Sequence, residues 1–246
     1  AGDAQRLLAD AADLLADATH CAAFSCALAD AGDVIQGVQL IPAGGGRAML
    51  VMLTAGGRIK SSICRLSCPA DDGFMAAFYD VMHSTFIGTR LSDVSIATVQ
   101  STAVTLGSRI FDMLPVLSSL CALCAETRQD SLLFAGETNL LSHEELGNEV
   151  YKLLTFLTNR PRFLTLAKQF ADAPARSALF IGEENPYFEL KNTATMLCSL
   201  HYNSQQRAVL GVIGSTRMDY ATIVPRAQYI MNKTTDLLAE GGITNG

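Results

Sequence analysis

Apolar residues recur at helical spacing near the start of the chain. Over residues 4–19 one stripe contains Leu7, Leu8, Ala11, Leu14, Leu15 and Ala18, while Asp10, Asp13 and Asp17 fall outside it. Apolar positions at i, i+3, i+4 and i+7 are typical of an amphipathic helix with one buried face. The pattern therefore predicts a first helix over residues 4–19.

Four apolar runs of β character follow this helix. They cover residues 21–29, 34–42, 47–54 and 57–66, and the stretches DAGD, AGGG and AGG join them. Short connections that contain glycine commonly join antiparallel neighbours, because tight hairpin turns require positive φ. We therefore expect an antiparallel meander of four strands.

The pattern changes to helical spacing at the stretch SCPADDG, residues 67–73. Pro69 and two acids break the strand alternation, and helical spacing then continues to about residue 127. Pro115 lacks the backbone N–H that a helix interior uses, so we expect it to divide residues 91–127 into two helices.

One short strand and two further helices are predicted next. Residues 131–136 favour a strand. Ser142 stands three residues ahead of Glu145, which is the spacing of a capping box. We therefore expect one helix over residues 142–157 and another from about 161 to 171.

β character returns after the proline-containing stretch DAPARS. Residues 178–182, 193–203 and 208–215 form apolar runs, with a turn expected at SQQR, residues 204–207. A final helix should follow, with Pro225 in its first turn. Its expected features are the stripe Ile223, Ala227, Ile230, Met231, Leu237 and Leu238, a cap at Asp219 or Thr222, and an end at Gly241-Gly242.

This order of elements favours an α+β fold with an inserted unit. β-rich segments at both ends bracket a mostly helical middle, as in one α+β domain that another unit interrupts. The expected parts are residues 1–70, the insertion at residues 71–174, and residues 175–246.

The composition adds the expectation of a partner surface. Of the 246 residues 49% are apolar and 17% charged, and the mean hydropathy is +0.25, so exposed apolar surface is expected. No run approaches the roughly 18 uncharged apolar residues of a membrane helix, and AGDAQRLLAD at the N-terminus lacks a signal-peptide layout. The chain is expected to be cytoplasmic, with no membrane partner.

Charge and cysteine content exclude further classes. The net charge is −6 and the 18 basic residues are scattered, which argues against a phosphate-binding footprint on this chain. The seven cysteines lie mostly in apolar runs, which favours reduced, buried thiols. CALC, residues 121–124, and CRLSC, residues 64–68, have metal-like spacing, but their apolar settings favour a structural role.

Candidate catalytic motifs are weak throughout. The stretch GVIGSTRMDY, residues 211–220, lacks the lysine of a phosphate-binding loop. Glu183 and Glu184 are adjacent, and adjacent strand residues face opposite ways, which disfavours a shared substrate. The four histidines occur in separate segments, without an HExxH or GxSxG motif. We therefore predict no enzyme activity, no cofactor and no metal ligand.

The segments IGEENPYFELKNTATMLCSLHY and AVLGVIGSTRMDYATIVP nevertheless carry a family resemblance. Together they resemble the C-terminal region of bacterial heat-inducible transcription repressors, the HrcA family, in which IGEEN is paired with GVIGPTRMDY. FAGETNLLSHEE and LVMLTAGGRIKSSIC are also similar to segments of that family, whereas Ser215 replaces its usual proline. The signature positions, which we expect to be structural, are Gly182, Glu183, Glu184, Asn185, Gly211, Gly214, Thr216, Arg217, Met218, Asp219 and Tyr220.

The resemblance implies a fold and a function. The fold would be a GAF-like antiparallel sheet with flanking helices, interrupted by an inserted, mostly helical α/β dimerising domain. The function would be that of a homodimeric repressor, with the chaperonin as its modulator. It would bind an inverted-repeat operator of chaperone genes through an N-terminal winged helix-turn-helix domain absent from this chain. A two-fold dimer suits a palindromic site.

Two further expectations stand beside that one. A GAF-like domain that senses a small molecule is the alternative function, with MLVML, residues 49–53, and GVIG, residues 211–214, lining its pocket. In the signature itself, Arg217 is expected to form an ion pair with Glu183 or Glu184.

Overall fold

The chain contains two compact units of mixed helix and antiparallel sheet, which confirms the predicted α+β class. The computed structural model describes residues 2–30, 32–201 and 207–243. Unit 1 comprises residues 29–129, and unit 2 comprises residues 2–28 together with the chain from residue 130 onward. Unit 2 is therefore built from two separate parts of the sequence.

In chain order the helices and strands are α1 (Gly2–Thr19), β1 (Ala22–Leu28), β2 (Ile35–Gly44), β3 (Arg47–Thr54), β4 (Ile59–Arg65), α2 (Asp72–Val81), α3 (Ile96–Leu106), α4 (Ile110–Thr127), β5 (Ser131–Ala135), α5 (Glu149–Thr158), α6 (Arg160–Ala171), β6 (Ser177–Ile181), β7 (Thr193–His201), β8 (Arg207–Ser215) and α7 (Tyr220–Ile243).

Unit 2 is built around a five-stranded sheet with the strand order β5-β1-β8-β7-β6, in which all neighbours are antiparallel. Helices α1 and α7 cover one face, where Leu15 and Met231 are buried. Helices α5 and α6 cover the other, where Leu153 and Phe163 are buried. Because both faces are covered, β7 and β8 are buried along almost their whole length, which explains their predominantly apolar sequence.

The first β run does not join the meander that the sequence predicts. β1 pairs with β5 on one side and with β8 on the other, so both of its edges are occupied within unit 2. Only β2, β3 and β4 form a meander, and their sheet belongs to unit 1. The units consequently divide at residues 28/29 and 129/130, whereas the sequence placed boundaries at 70/71 and 174/175.

Unit 1 packs one face of its three-stranded sheet against helices. Leu40, Leu50 and Met52 share a core with Phe78 of α2 and Leu117 of α4. The residues that alternate with the buried ones along each strand point away from this core, as expected for an antiparallel sheet with one buried face.

The helical stretch in unit 1 breaks at a different residue from the expected one. A 3₁₀ turn at Gly107–Arg109 separates α3 from α4, and Gly107 has φ +56°, which glycine adopts readily. Pro115 lies inside α4, where the buried side chains of Val116 and Leu117 stabilise the helix despite the missing N–H.

The predicted capping box is wrong. The Ser142 hydroxyl donates to the Asn139 carbonyl at 2.6 Å and closes the 3₁₀ segment Glu137–Ser142, so it does not cap a helix. A second 3₁₀ turn follows at Glu144–Leu146, and α5 begins only at Glu149.

The C-terminal helix agrees with its prediction in most respects. Of the expected stripe, Leu237 is 40% exposed, whereas Ala227, Ile230, Met231 and Leu238 are buried. Pro225 lies one turn further into α7 than expected, and the helix continues past Gly241-Gly242 to Ile243. The turn expected at SQQR lies largely outside the described residues.

α4 is the one helix in the described parts of the chain whose length and apolar composition would suffice to cross a membrane. Its Val116, Leu117 and Leu120 are fully buried in unit 1, and it carries Asp112 and Glu126. We therefore assign α4 to the protein core.

Candidate functional site

The two signature segments emerge at the same end of the unit 2 sheet. Ile181 of β6 pairs with Ala194 of β7, and Ala194 pairs on its other side with Gly214 of β8. β6 and β8 therefore run in the same direction on either side of β7, about 10 Å apart. The structure brings residues 181–185 and 211–220 to one end without pairing them.

The IGEEN segment forms a tight turn that ends β6. Gly182 has φ +60°, in the left-handed region that glycine tolerates best, and it opens the 3₁₀ turn Gly182–Glu184. This turn directs the Glu184 carboxylate back to the strand, where it accepts the Ile181 backbone N–H at 2.8 Å. The Glu184 carboxylate therefore binds the backbone of its own turn.

Asn185 holds the loop after this turn closed. Its side chain is 4% exposed, and its Nδ2 donates to the carbonyl of Gly182 at 3.0 Å and to that of Thr193 at 2.9 Å. The amide thus ties the end of β6 to the start of β7. The Gly182 carbonyl also accepts the Asn185 backbone N–H at 3.1 Å.

Replacing Asn185 with alanine is expected to lower the free energy of unfolding by about 2 kcal/mol, because the Thr193 and Gly182 carbonyls each lose the side-chain donor, and the Gly182 carbonyl keeps only the Asn185 backbone N–H. Urea unfolding followed by circular dichroism measures the loss. Glu183→Ala, at an 80% exposed side chain two residues away, is the matched control and should cost less than about 1 kcal/mol. Equal stability of the two variants would show that the amide contributes nothing.

The expected ion pair of Arg217 is absent from the described residues. Glu183 instead pairs with Lys191 at 2.6 Å, and Glu184 bonds Ile181 as described above. Arg217 is exposed, and its backbone N–H donates to the Ser215 hydroxyl at 3.1 Å. The hypothesis overlooked Lys191, which the closed loop carries to within reach of Glu183.

The signature residue Tyr220 has a pKa that is affected by the Glu184 carboxylate. Burial and the nearby Glu184 carboxylate raise the pKa of the Tyr220 phenol, whose hydroxyl donates to the Thr216 carbonyl at 2.8 Å. A protonated phenol is therefore held against the backbone. This arrangement fixes the corner between β8 and α7.

Of the two caps predicted for the final helix, Asp219 or Thr222, the structure shows Asp219. Its Oδ1 accepts the Thr222 backbone N–H at 3.3 Å, and its carbonyl accepts the Ile223 N–H at 2.9 Å. Hydrogen bonds from Thr222 lower the pKa of the Asp219 carboxyl. Met218, one residue earlier, is buried against α1 and α7.

The two signature glycines of β8 permit close packing. A Cβ on Gly211 would lie 2.5 Å from Cζ of Phe24, and one on Gly214 would lie 2.6 Å from Sγ of Cys21. Both contacts are with β1 and the residue before it. These positions therefore maintain the sheet and its covering layers, not a ligand site.

Sequence reasoning missed a capping cluster at the end of α1. The Asn139 amide donates to the Cys21 carbonyl at 3.0 Å, and Nε2 of His143 lies 3.2 Å from the His20 carbonyl. Arg226 of α7 donates to the Ala18 carbonyl at 3.2 Å. The NLLSH stretch, which resembles the family, carried the signal for Asn139 and His143.

The thiols occupy settings that suppress their reactivity. All seven cysteines lie in described residues, and none of them forms a disulfide. Burial raises the pKa of Cys26 and of Cys124 to about 12, so both are protonated at neutral pH. Cys124, from the CALC stretch, contacts the sulfur of Met52 in the core of unit 1.

The segments expected to line a ligand pocket lie in separate cores. Leu50 and Met52 are buried in unit 1, while Val212 and Ile213 are buried in unit 2. A groove of 440 Å³ does exist within unit 2, lined by α5, the start of α6 and the 3₁₀ turn Phe188–Leu190. Its Arg162 is ion-paired with Glu189 and lies over the rings of Phe156 and Tyr187.

Comparison with known proteins assigns a family to this arrangement. The family model described as "HrcA protein C terminal domain" matches residues 5–224. The heat-inducible transcription repressor HrcA of Methylobacillus flagellatus is 25% identical over 242 residues, covering 96% of this chain and 69% of that protein. The repressor of the same name from Acetivibrio thermocellus is 20% identical over 202 residues, covering 81% and 58%.

A solved structure agrees with the fold. A crystal structure described as that of a hypothetical protein superposes with a TM-score of 0.68 at 19% identity, covering 96% of this chain and 70% of that one. The chain spans 58% of the Acetivibrio thermocellus repressor and 70% of its relative from Clavibacter michiganensis. Because the family model covers most of its length, the chain belongs to the family of the HrcA protein C-terminal domain.

Proposed function

We propose that this chain is the dimerisation and regulatory portion of a heat-shock transcriptional repressor. Its relatives are named heat-inducible transcription repressors, and the family model covers residues 5–224. In this proposal the protein acts in the cytoplasm as a homodimer, binds an inverted-repeat operator through an N-terminal DNA-binding domain, and represses chaperone genes. The chaperonin modulates its activity.

The observation that carries the proposal is an apolar row on the outer face of the unit 1 sheet. Ile41, Met49 and Ile63 are register partners across β2, β3 and β4, and they are 42%, 36% and 71% exposed. Phe111 and Leu114, one helical turn apart on α4, form a separate exposed apolar pair. Large exposed apolar patches mark interaction surfaces, so a second copy is expected to cover this one.

Each unit then has a role. Unit 1 is the inserted dimerising domain, because it carries the exposed row. Unit 2 is the GAF-like domain, with its five-stranded sheet covered by helices on both faces. The net charge of −6 supports the assignment of the DNA phosphate contacts to the N-terminal DNA-binding domain.

The proposal is tested in a protein that carries the N-terminal DNA-binding domain, with the change Ile63→Lys. One substitution per chain is sufficient, because the two-fold axis duplicates the introduced charge and each copy of it faces apolar side chains. Light scattering should show monomers, and a gel shift should show at least about a hundredfold weaker operator binding, since two half-sites are no longer held together.

Asn232→Lys provides the control, because it places the same charge on an exposed position of α7. It should leave both the dimer and the gel shift unchanged. If the Ile63→Lys protein remained dimeric with full operator affinity, the apolar row would not be the dimer surface.

A further inference from the structure

β6 forms an outer edge of the unit 2 sheet. It pairs with β7 on one side, and the other side has no partner strand among the described residues. An outer strand presents unpaired backbone N–H and C=O groups, onto which another strand can add. The accessible groups on this edge determine what it can bind.

The direction of each backbone group follows from two hydrogen bonds. The Ser199 N–H of β7 donates to the Arg176 carbonyl at 2.7 Å, so the backbone of Arg176 faces β7. Backbone groups alternate sides along an antiparallel strand, so Ser177, Leu179 and Ile181 face outward. The Ile181 N–H agrees with this direction, since it reaches the Glu184 carboxylate outside the ladder.

This alternation leaves a short ladder of free groups. Ser177 and Leu179 each present an N–H and a carbonyl, and Ile181 presents its carbonyl, without a hydrogen-bond partner in the part of the chain that the structure describes. Ser177 is exposed, and Ile181 is 40% exposed, so solvent reaches both ends of the edge.

The other strand edges carry features that oppose strand addition. Arg160 donates to the Leu132 carbonyl of β5, and the segment 88–91 hydrogen-bonds to Ile35 of β2 and to the residues before it. β4 carries Lys60 and Arg65. Natural proteins use covering segments and charged side chains of this kind to keep sheet edges apart.

β6 carries no comparable protection within its span. Its sequence Ser-Ala-Leu-Phe-Ile has no charged residue and no proline, and its register with β7 is free of bulges. Only the Glu184 carboxylate, at one end, occupies an outward donor. The middle of the strand is therefore open to pairing.

We propose that β6 pairs antiparallel with β6 of a second copy of this chain, about a two-fold axis at Leu179. In this register Leu179 faces Leu179, and the two exchange N–H···O bonds. The Ser177 N–H of each copy donates to the Ile181 carbonyl of the other. The contact lies on unit 2 and does not depend on the apolar row of unit 1.

Charge complementarity favours a second copy as the occupant. The same register places Arg176 of one copy opposite Gly182 of the other, beside Glu183, which is 80% exposed and whose exposed pair with Lys191 of its own chain contributes little. Because the axis is two-fold, this contact of opposite charges occurs twice. An unrelated strand would have to supply both charges in the same positions.

Site-specific cross-linking of the full chain tests the register. Paired residues that exchange hydrogen bonds have Cα atoms about 5.5 Å apart, within the range of a disulfide. Leu179→Cys should therefore form an intermolecular disulfide under mild oxidation about tenfold faster than Asn232→Cys, which places a thiol on exposed α7. Equal cross-linking of these two variants would overturn the proposal.

A second variant separates pairing from folding. Ser177→Pro removes an outward N–H at the first position of an outer strand, where proline is tolerated, so unit 2 should keep its circular dichroism spectrum and its Tm. In the Leu179→Cys background it should slow cross-linking about tenfold, because two of the four intermolecular bonds are lost. A folded Ser177→Pro protein that cross-links at the parent rate would contradict the register.

Further variants test the charge pair and the independence of the two contact surfaces. Arg176→Glu should weaken cross-linking, and Arg176→Glu with Glu183→Arg should restore it. In the Ile63→Lys protein the cross-link of Leu179→Cys should persist. Four strand hydrogen bonds are too few to hold a stable dimer by themselves, so the Ile63→Lys protein should be monomeric by light scattering and still form the cross-link in transient encounters. Loss of dimers with a persistent cross-link supports both surfaces, whereas a dimer unaffected by Ile63→Lys refutes only the row on unit 1.

Discussion

Replacing Gly211 with alanine should destabilise unit 2 by about 3 kcal/mol, because the added methyl group overpacks a filled core. Its Cβ would lie 2.5 Å from Cζ of Phe24 and 2.7 Å from the carbonyl oxygen of Met196. The carbonyl belongs to β7 and is held in the sheet, so it cannot move aside as a flexible side chain would. Urea unfolding with far-ultraviolet circular dichroism measures the loss.

A second substitution identifies the cause of this loss. Phe24→Leu shortens the facing side chain, so it should recover part of the stability of the Gly211→Ala protein although it costs stability by itself. Gly37→Ala is the control, since no atom would lie within 4 Å of its Cβ. A Gly211→Ala protein as stable as Gly37→Ala would disprove the tight contact.

Replacing Phe163 with alanine is expected to cost about 4 kcal/mol, since a fully buried aromatic side chain leaves a large cavity. The ring packs edge-on against Phe24 at 4.6 Å and against Phe134 at 5.0 Å between centroids, and it also contacts Phe156. It thus links α6 to β1, β5 and α5, and its loss affects all four elements.

Phe188→Ala is the matched control for Phe163→Ala. Phe188 is 70% exposed, so its removal should change the free energy of unfolding by less than about 1 kcal/mol. Both variants are compared by urea unfolding. Similar losses in the two proteins would mean that the aromatic cluster of α6 does not stabilise unit 2 as its packing implies.

Local pattern was sufficient for most individual elements. The amphipathic stripe of α1, the runs of β2, β3 and β4 and the cap of α7 at Asp219 all follow from nearby residues. The partners of β1 do not, because Ala23 pairs with Val212 and Ala135, both more than a hundred residues away. No turn signal in the sequence specifies such pairings, so the local pattern predicts pairing with the neighbouring strand β2 instead.

The signature segments make backbone and ion-pair contacts whose partners differ from the predicted ones. Asn185 bridges Gly182 and Thr193, and Glu183 pairs with Lys191. These contacts depend on the path of the loop from β6 to β7, which apolar pattern does not specify. The ion-pair partner of Arg217 was predicted from charge alone, and charge without geometry allows too many possible partners.

The central position of β1 also governs the order in which the chain can fold during synthesis. β1 ends at Leu28, and its partner β8 begins only at Arg207, so roughly 180 residues, or about 10 to 40 seconds of translation, separate them. All of unit 1 is synthesised within that interval. Unit 1 can therefore fold on the ribosome while β1 still lacks its partner β8, and unit 2 is completed last.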